Sequence, residues 1–307
     1  MLQGRQVARR DRLRGVLGLD LQRLLELLDL ENLELNLFRG ESPQDGRDRI
    51  FGGQVLAQAL VAARRTVEER LAHSLHAYFL RPGDPKHPIL YEVDRIRDGR
   101  SFTTRRVVAI QRGEAIFNMS ASFHAEEEGF EHQREKEAGT LPDGELYETV
   151  IRREVERHIE VERDDRRFEL PIEVRADGGL HLFDERPRPP RLRTWLRAKG
   201  TLSDDPGIHQ CVLAYASDLT LLVPVIRPHP LGMRSRGLLS ASLDHAMWFH
   251  QPFRADQWLR FDQESPIATR SRGFARGEIY DSEGTLVASC TQEGLFRHRP
   301  DSRKRQR

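Results

Sequence analysis

Apolar residues in GGQVLAQALVAARR (52–65) recur at Val55, Leu56, Ala59, Leu60 and Ala63, the spacing of one helix face. A second helical segment, PGIHQCVLAYASDL (206–219), follows the same kind of Pro and Gly punctuation. After the first helix the pattern changes to strands: ILYEVDRI (89–96), TTRRVVAIQ (103–111) and EAIFNMSASFH (114–124). QRGE (111–114) and DSEG (281–284) read as hairpin turns. A helix followed by an antiparallel meander predicts an α+β unit in which a sheet curls around one helix.

The chain carries this grammar twice. HAYFLRP (76–82) is similar to HAMWFHQP (245–252), and the stretch 101–123 is similar to 271–294. Pro82 to Pro252 and Ser101 to Ser271 both give an offset of 170. GQVLAQALVAA (53–63) matches QCVLAYASDLT (210–220) at an offset of 157, Val55 to Val212. The difference puts an insertion around VPVIRPHPLGMRSRG (223–237), whose Pro and Gly content reads as a loop. Two such units are expected to pair edge to edge, which removes the exposed sheet edges each would carry alone.

The expected organisation is an N-terminal extension (1–23), a first unit (24–125), a linker with a helix (126–188), a second unit (189–298) and a basic tail (299–307). The linker helix is placed on LYETVIRREVERHI (146–159), and PPRLRTWLRAKG (189–200) begins the first strand of the second unit.

Composition removes several classes of function. A formal net charge of +1 lacks the basic excess of a nucleic-acid binder. Four lysines among 49 cationic residues point to genome composition rather than to a binding surface. No apolar run approaches the roughly 18 residues of a membrane span, and charges interrupt the N-terminal apolar runs, so neither a signal peptide nor stable membrane insertion is expected. Cys211 and Cys290 each lie in an apolar run, as buried thiols of a cytoplasmic protein would. The chain shows no zinc-motif spacing, no phosphate-cradling glycine loop and no GxSxG nucleophile elbow, so neither metal nor cofactor is expected.

Asp218 stands out as the one carboxylate in HQCVLAYASDLTLLVP (209–224). It reads as a cap for a following helix, as a residue on a solvent edge, or as a group serving a site. Ser242, Ser240 and Asp244 read equally as ordinary polar residues. His76, His245 and His250, beside aromatics, read as structural histidines.

Taken together, FGGQVLAQAL, HSLHAYFLRPGD, HQCVLAYASDL, SLDHAMWFHQPF and VASCTQEG resemble the acyl-CoA thioesterase II family, the TesB-like double hotdog enzymes, over nearly the whole chain. The resemblance implies a tandem hotdog fold, hydrolysis of fatty acyl-CoA without a cofactor, and assembly as a homodimer or homotetramer. Non-catalytic acyl-CoA binding or regulation on the same fold is the alternative, and a dehydratase or hydratase a third reading. It also implies that Asp218, Ser242 and Gln292 form the active centre. Gly52 and Gly53, before the first helix, are the candidates for backbone oxyanion donors. At the repeat offsets Asp218 corresponds to Val61 and Gln292 to Ser122, so the first unit is expected to lack the polar set.

Overall fold

The computed structural model describes residues 19–43, 48–134, 139–156 and 170–299. Helix α1 (Leu21–Leu28) begins where Asp20 accepts a hydrogen bond from the Arg23 N–H at 2.7 Å, and it buries Leu21, Leu24, Leu27 and Leu28. A hairpin of β1 (Glu31–Glu34) and β2 (Leu37–Gly40) follows, then α2 (Gly52–Arg64). The first meander is β3 (Leu71–Phe79), β4 (Ile89–Asp98), β5 (Phe102–Gln111) and β6 (Glu114–His124).

Beyond it lie α3 (Tyr147–Glu156), β7 (Ile172–Ala176), β8 (Arg191–Ala198), α4 (Pro206–Ser217) and the short α5 (Val223–Ile226). The second meander comprises β9 (Leu238–Ser242), β10 (Asp244–Phe249), β11 (Leu259–Thr269), β12 (Arg272–Tyr280) and β13 (Leu286–His298).

All the described strands belong to one antiparallel sheet, ordered β1-β2-β4-β5-β6-β3-β10-β13-β12-β11-β8-β7, with β9 paired to β13. The units join at β3 and β10, where Leu75 lies opposite Met247 and His76 opposite Ala246. This is the expected edge-to-edge pairing. Both helices at the centre are buried almost all round, α2 from Gly53 to Ala63 and α4 from His209 to Ser217. Helices apolar on every side belong inside a wrapped sheet. Each fully buried leucine there, such as Leu56 or Leu60, contributes about 2 kcal/mol from apolar burial.

The strands repeat the alternation of the first unit in the second. Thr103, Arg105, Val107 and Ala109 of β5 face inward, as do Gly273, Ala275, Gly277 and Ile279 of β12, at the expected offset of 170. The QRGE turn is a two-residue connection with Arg112 and Gly113 both at positive φ, the conformation a tight hairpin needs.

Four local expectations change. The apolar helix ends at Ser217, so Asp218 is its C-cap and not an internal residue. Because Leu222, not Ser217 or Asp218, is the N-cap of α5, capping of a following helix does not explain Asp218. The Pro-rich segment read as a loop holds α5, since Pro224 occupies its first turn, where a missing N–H costs nothing. The segment read as a linker contributes β7, which pairs with β8 from Ile172–Ala198 to Ala176–Thr194. Its short alternation, IEVRA, offers too few residues to signal a strand before its partner is known. Helix α3 forms where expected; residues 157–169, 1–18 and 300–307 lie outside the described residues.

Candidate active site

Three elements converge at one point. Asp218 ends α4, Ser242 ends β9 and Gln292 lies on the inward face of β13. Ser242 is set beside β13 by the β9–β13 ladder, opposite Gly294 and two residues from Gln292. The Gln292 Nε2 donates to Asp218 Oδ1 at 2.5 Å and to Ser242 Oγ at 2.9 Å, while Ser242 Oγ donates to Asp218 Oδ1 at 3.3 Å. The amide orientation follows, because an oxygen in place of Nε2 would face a carboxylate at hydrogen-bond distance. That leaves Gln292 Oε1 buried and without a partner among the described residues. It is a buried acceptor with its hydrogen-bonding capacity unused.

Asp218 remains partly accessible, yet burial of its carboxyl raises its pKa to about 6. Hydrogen bonds from Gln292, from the backbone N–H of Gly53 and from Ser242 oppose that rise. The residue is therefore mostly ionised at neutral pH and close to the range where a general base works best.

Gly52 and Gly53 form the first turn of α2, and its N-cap residue, Phe51, makes no side-chain capping bond. A Cβ on Gly52 would sit 2.7 Å from Asp218 Oδ2 and 3.0 Å from Phe79 Cε1. A Cβ on Gly53 would meet the Tyr215 carbonyl oxygen at 2.5 Å. Glycine is needed at both positions for the start of α2 to approach the end of α4. The site thus draws on both units, Gly52 and Gly53 from the first and the polar set from the second. At rest the Gly53 N–H is bonded to Asp218, where the sequence expects an oxyanion donor.

The first unit has a counterpart of this junction. Gly207, in the first turn of α4, packs against the Arg64 side chain, as Gly52 and Gly53 pack against the end of α4. Gly53 to Gly207 and Arg64 to Asp218 both give an offset of 154, so Arg64, not Val61, stands where Asp218 does. The last strand also corrects the repeat. Phe117, Met119, Ala121 and Phe123 face inward on β6, as Ala288, Cys290, Gln292 and Gly294 do on β13, an offset of 171. Ala121, not Ser122, is therefore the partner of Gln292. One extra residue in the DSEGT connection accounts for the slip, and a slip of one exchanges the faces of a strand. Ser242 corresponds at the strand offset to Ala72. Arg64, Ala72 and Ala121 offer neither a base nor a hydroxyl, so the polar set is confined to the second unit, as expected.

The remaining candidates have other roles. His76 stacks edge-on to Trp248 at 5.2 Å, and His250 Nε2 lies 2.9 Å from Ser289 Oγ. Both cysteine thiols are buried and free, and burial pushes the Cys211 thiol up to about 12, out of the reactive range. No group of three or more His, Cys, Asp or Glu among the described residues could hold a metal ion. No helix among them is long and apolar enough to cross a membrane. A recess of about 700 Å³ lined by Arg134, Arg193, Arg276, Asp262 and Glu278 takes in none of the three site residues. Three of its arginines are paired with its carboxylates, Arg193 with Asp262 at 2.6 Å, Arg134 with Glu278 at 2.9 Å and Arg276 with Glu264 at 2.5 Å.

Comparison with known proteins finds relatives over most of the chain. Residues 168–295 match the family described as acyl-CoA thioesterase, and residues 41–124 match the acyl-CoA thioesterase N-terminal domain. The chain is 39% identical over 279 residues to acyl-CoA thioesterase 2 of Haemophilus influenzae, covering 90% of this chain and 98% of that protein. It is 38% identical to acyl-coenzyme A thioesterase 8 of Homo sapiens, over 89% of this chain and 88% of the human protein. Among solved structures, acyl-CoA thioesterase II TesB2 from Mycobacterium marinum superposes with a TM-score of 0.72 at 42% identity, covering 91% of this chain and 98% of that one. A hot dog fold protein from Alicyclobacillus acidocaldarius, 18% identical, superposes with a TM-score of 0.70, over 90% of this chain and 98% of that one, and supports the fold alone. The chain is a double hotdog protein and belongs to the acyl-CoA thioesterase family.

Proposed function

We propose that the protein hydrolyses fatty acyl-CoA thioesters to free fatty acid and CoA, using a water activated by Asp218 and held with Ser242 and Gln292. The observation that carries this reading is the Gln292 amide, which bonds to Asp218 at 2.5 Å and to Ser242 at 2.9 Å beside a carboxylate of pKa about 6. Asp218 takes a proton as the water oxygen attacks the thioester carbon. The tetrahedral intermediate collapses, the carbon–sulfur bond breaks, and the leaving thiolate takes the proton from Asp218, which restores the carboxylate. No acyl-enzyme is formed, since a thioester is electrophilic enough for an oriented water. Gln292 Oε1 is free to accept from that water.

The developing oxyanion lies at the start of α2 in this scheme. Gly52 is the better donor, because the Gly53 N–H already serves Asp218. The same two-unit reading takes 24–125 as the first hotdog unit and lets the second begin at β7 rather than at 189. A cytoplasmic homodimer or homotetramer is the proposed form, the compartment supported by two buried free cysteines and the assembly by family resemblance. The test is release of free thiol from acyl-CoA by purified protein, followed with a thiol-reactive dye. Saturable binding without thiol release, and no change on Asp218→Asn, would favour a non-catalytic acyl-CoA-binding protein.

A further inference from the structure

Ser242 opens a four-residue segment, Ser242-Leu243-Asp244-His245, whose other polar groups end beside the remaining two site residues. Asp244 Oδ1 accepts from the Glu293 N–H at 2.7 Å, and the Leu243 N–H donates to the Glu293 carbonyl at 2.9 Å. Both bonds hold the backbone next to Gln292. His245 points the other way. Its Nε2 lies 3.0 Å from Ser217 Oγ, one residue before Asp218.

With the Ser217 hydroxyl donating to the Ala214 carbonyl at 2.9 Å, its oxygen is left to accept from His245 Nε2. The imidazole therefore carries its proton on Nε2. Its Nδ1 is buried with no partner among the described residues, and the ring is 0% exposed. An orphaned buried acceptor costs about 1–3 kcal/mol, which an apolar side chain of similar size would not incur. Packing alone gives no reason for an imidazole at this position.

We infer that His245 is a positioning residue: its Nε2–H donates to Ser217, fixes the last turn of α4, and holds the Asp218 carboxylate in reach of Gln292 and Ser242. This inference rests on the reading of Asp218 as the base. A misplacement on the order of 1 Å at a reacting group lowers turnover by about 100-fold, so a single hydrogen bond one residue away is enough to matter.

Ser217→Ala removes the acceptor and leaves the imidazole volume in place. It should lower kcat about 10- to 100-fold with KM within about threefold, and His245→Leu should do the same. His245→Gln, whose amide nitrogen reaches the position of Nε2, should recover kcat to within about fivefold of wild type. The ¹⁵N spectrum of the wild-type imidazole at pH 7 should show His245 protonated on Nε2 alone. A purely structural role predicts lower melting temperatures, unchanged kcat per folded molecule and no rescue by glutamine. That result, or an imidazole protonated on Nδ1, overturns the inference. Asp218→Asn separates the two readings. If it retains wild-type turnover, the base assignment has failed; if it is inactive while Ser217→Ala has wild-type kcat, only the positioning role has. Should His245→Leu not fold, Ser217→Ala and the wild-type spectrum still decide.

Discussion

Arg64 clamps Asp205 through one guanidinium nitrogen, 2.7 Å from Oδ1 and 2.6 Å from Oδ2, at the helix junction that mirrors the meeting of Asp218 with Gly53. Where the second unit puts a carboxylate against a helix start, the first puts a cation against an aspartate that already caps α4. The two junctions have the same geometry and opposite chemistry, and the effects of mutation should follow that asymmetry. Ser122→Ala and Arg64→Ala should each keep kcat within about threefold, since neither group belongs to the proposed site. With both partners of the ion pair partly exposed, Arg64→Ala should cost at most about 1 kcal/mol of stability. Turnover assays beside thermal melts measure both. A Ser122→Ala or Arg64→Ala enzyme as inactive as Gln292→Ala would mean that the first unit supplies a group to turnover that the Asp218, Ser242 and Gln292 set does not include.

Asp218→Asn should lower kcat by about 10²- to 10⁴-fold, the scale of losing a general base. In the wild type, kcat/KM should rise with pH through about 6 and level off above it, as the carboxyl ionises. An acid limb that survives in Asp218→Asn would assign it to another group.

The same substitution tests stability with the opposite sign from most core changes. Burial raises the Asp218 pKa from 3.8 to about 6, so the folded state binds the proton more tightly than the unfolded state. Its contribution to stability is fully present below pH 3.8 and is lost as pH rises through about 6. The melting temperature of Asp218→Asn relative to wild type should accordingly climb between pH 4 and pH 7. A relative fall over that interval would contradict the raised pKa.

His245 should act in the other direction. Burial lowers its pKa from 6.5 to about 4, so the folded state favours the neutral ring. That contribution is present above pH 6.5 and is lost as pH falls through about 4, on the order of 3 kcal/mol in all. Wild type should lose stability across this window more steeply than His245→Gln, and denaturant titrations at several pH values will measure the difference.

Gly52→Ala should lower kcat at least about tenfold, because the new Cβ would lie 2.7 Å from Asp218 Oδ2 and push the base away. Intact-mass spectra of quenched reactions should meanwhile show no acyl adduct on Ser242, in wild type or in this variant. A trapped adduct would replace the water mechanism with a covalent one.

Much of the fold is local and was legible along the chain. The helical spacing of Val55, Leu56, Ala59, Leu60 and Ala63, the alternation of β5 and β12, and the positive-φ QRGE turn are short-range patterns set by backbone geometry. The repeat at 170 is equally a property of the sequence. Asp218, Ser242 and Gln292 were named through family resemblance, because residues 74 positions apart carry no spacing rule of their own. Three things waited for the tertiary structure. Strand β7 exists because β8 supplies its partner. The counterparts of Gln292 and Asp218 are Ala121 and Arg64, since one extra turn residue and the match of the two helix starts decide which positions correspond. The end of α4 at Ser217 turns Asp218 from a helix residue into a cap facing Gly53. Each of these depends on which groups two distant segments bring into hydrogen-bond range, and that is fixed only when the sheet closes around both helices.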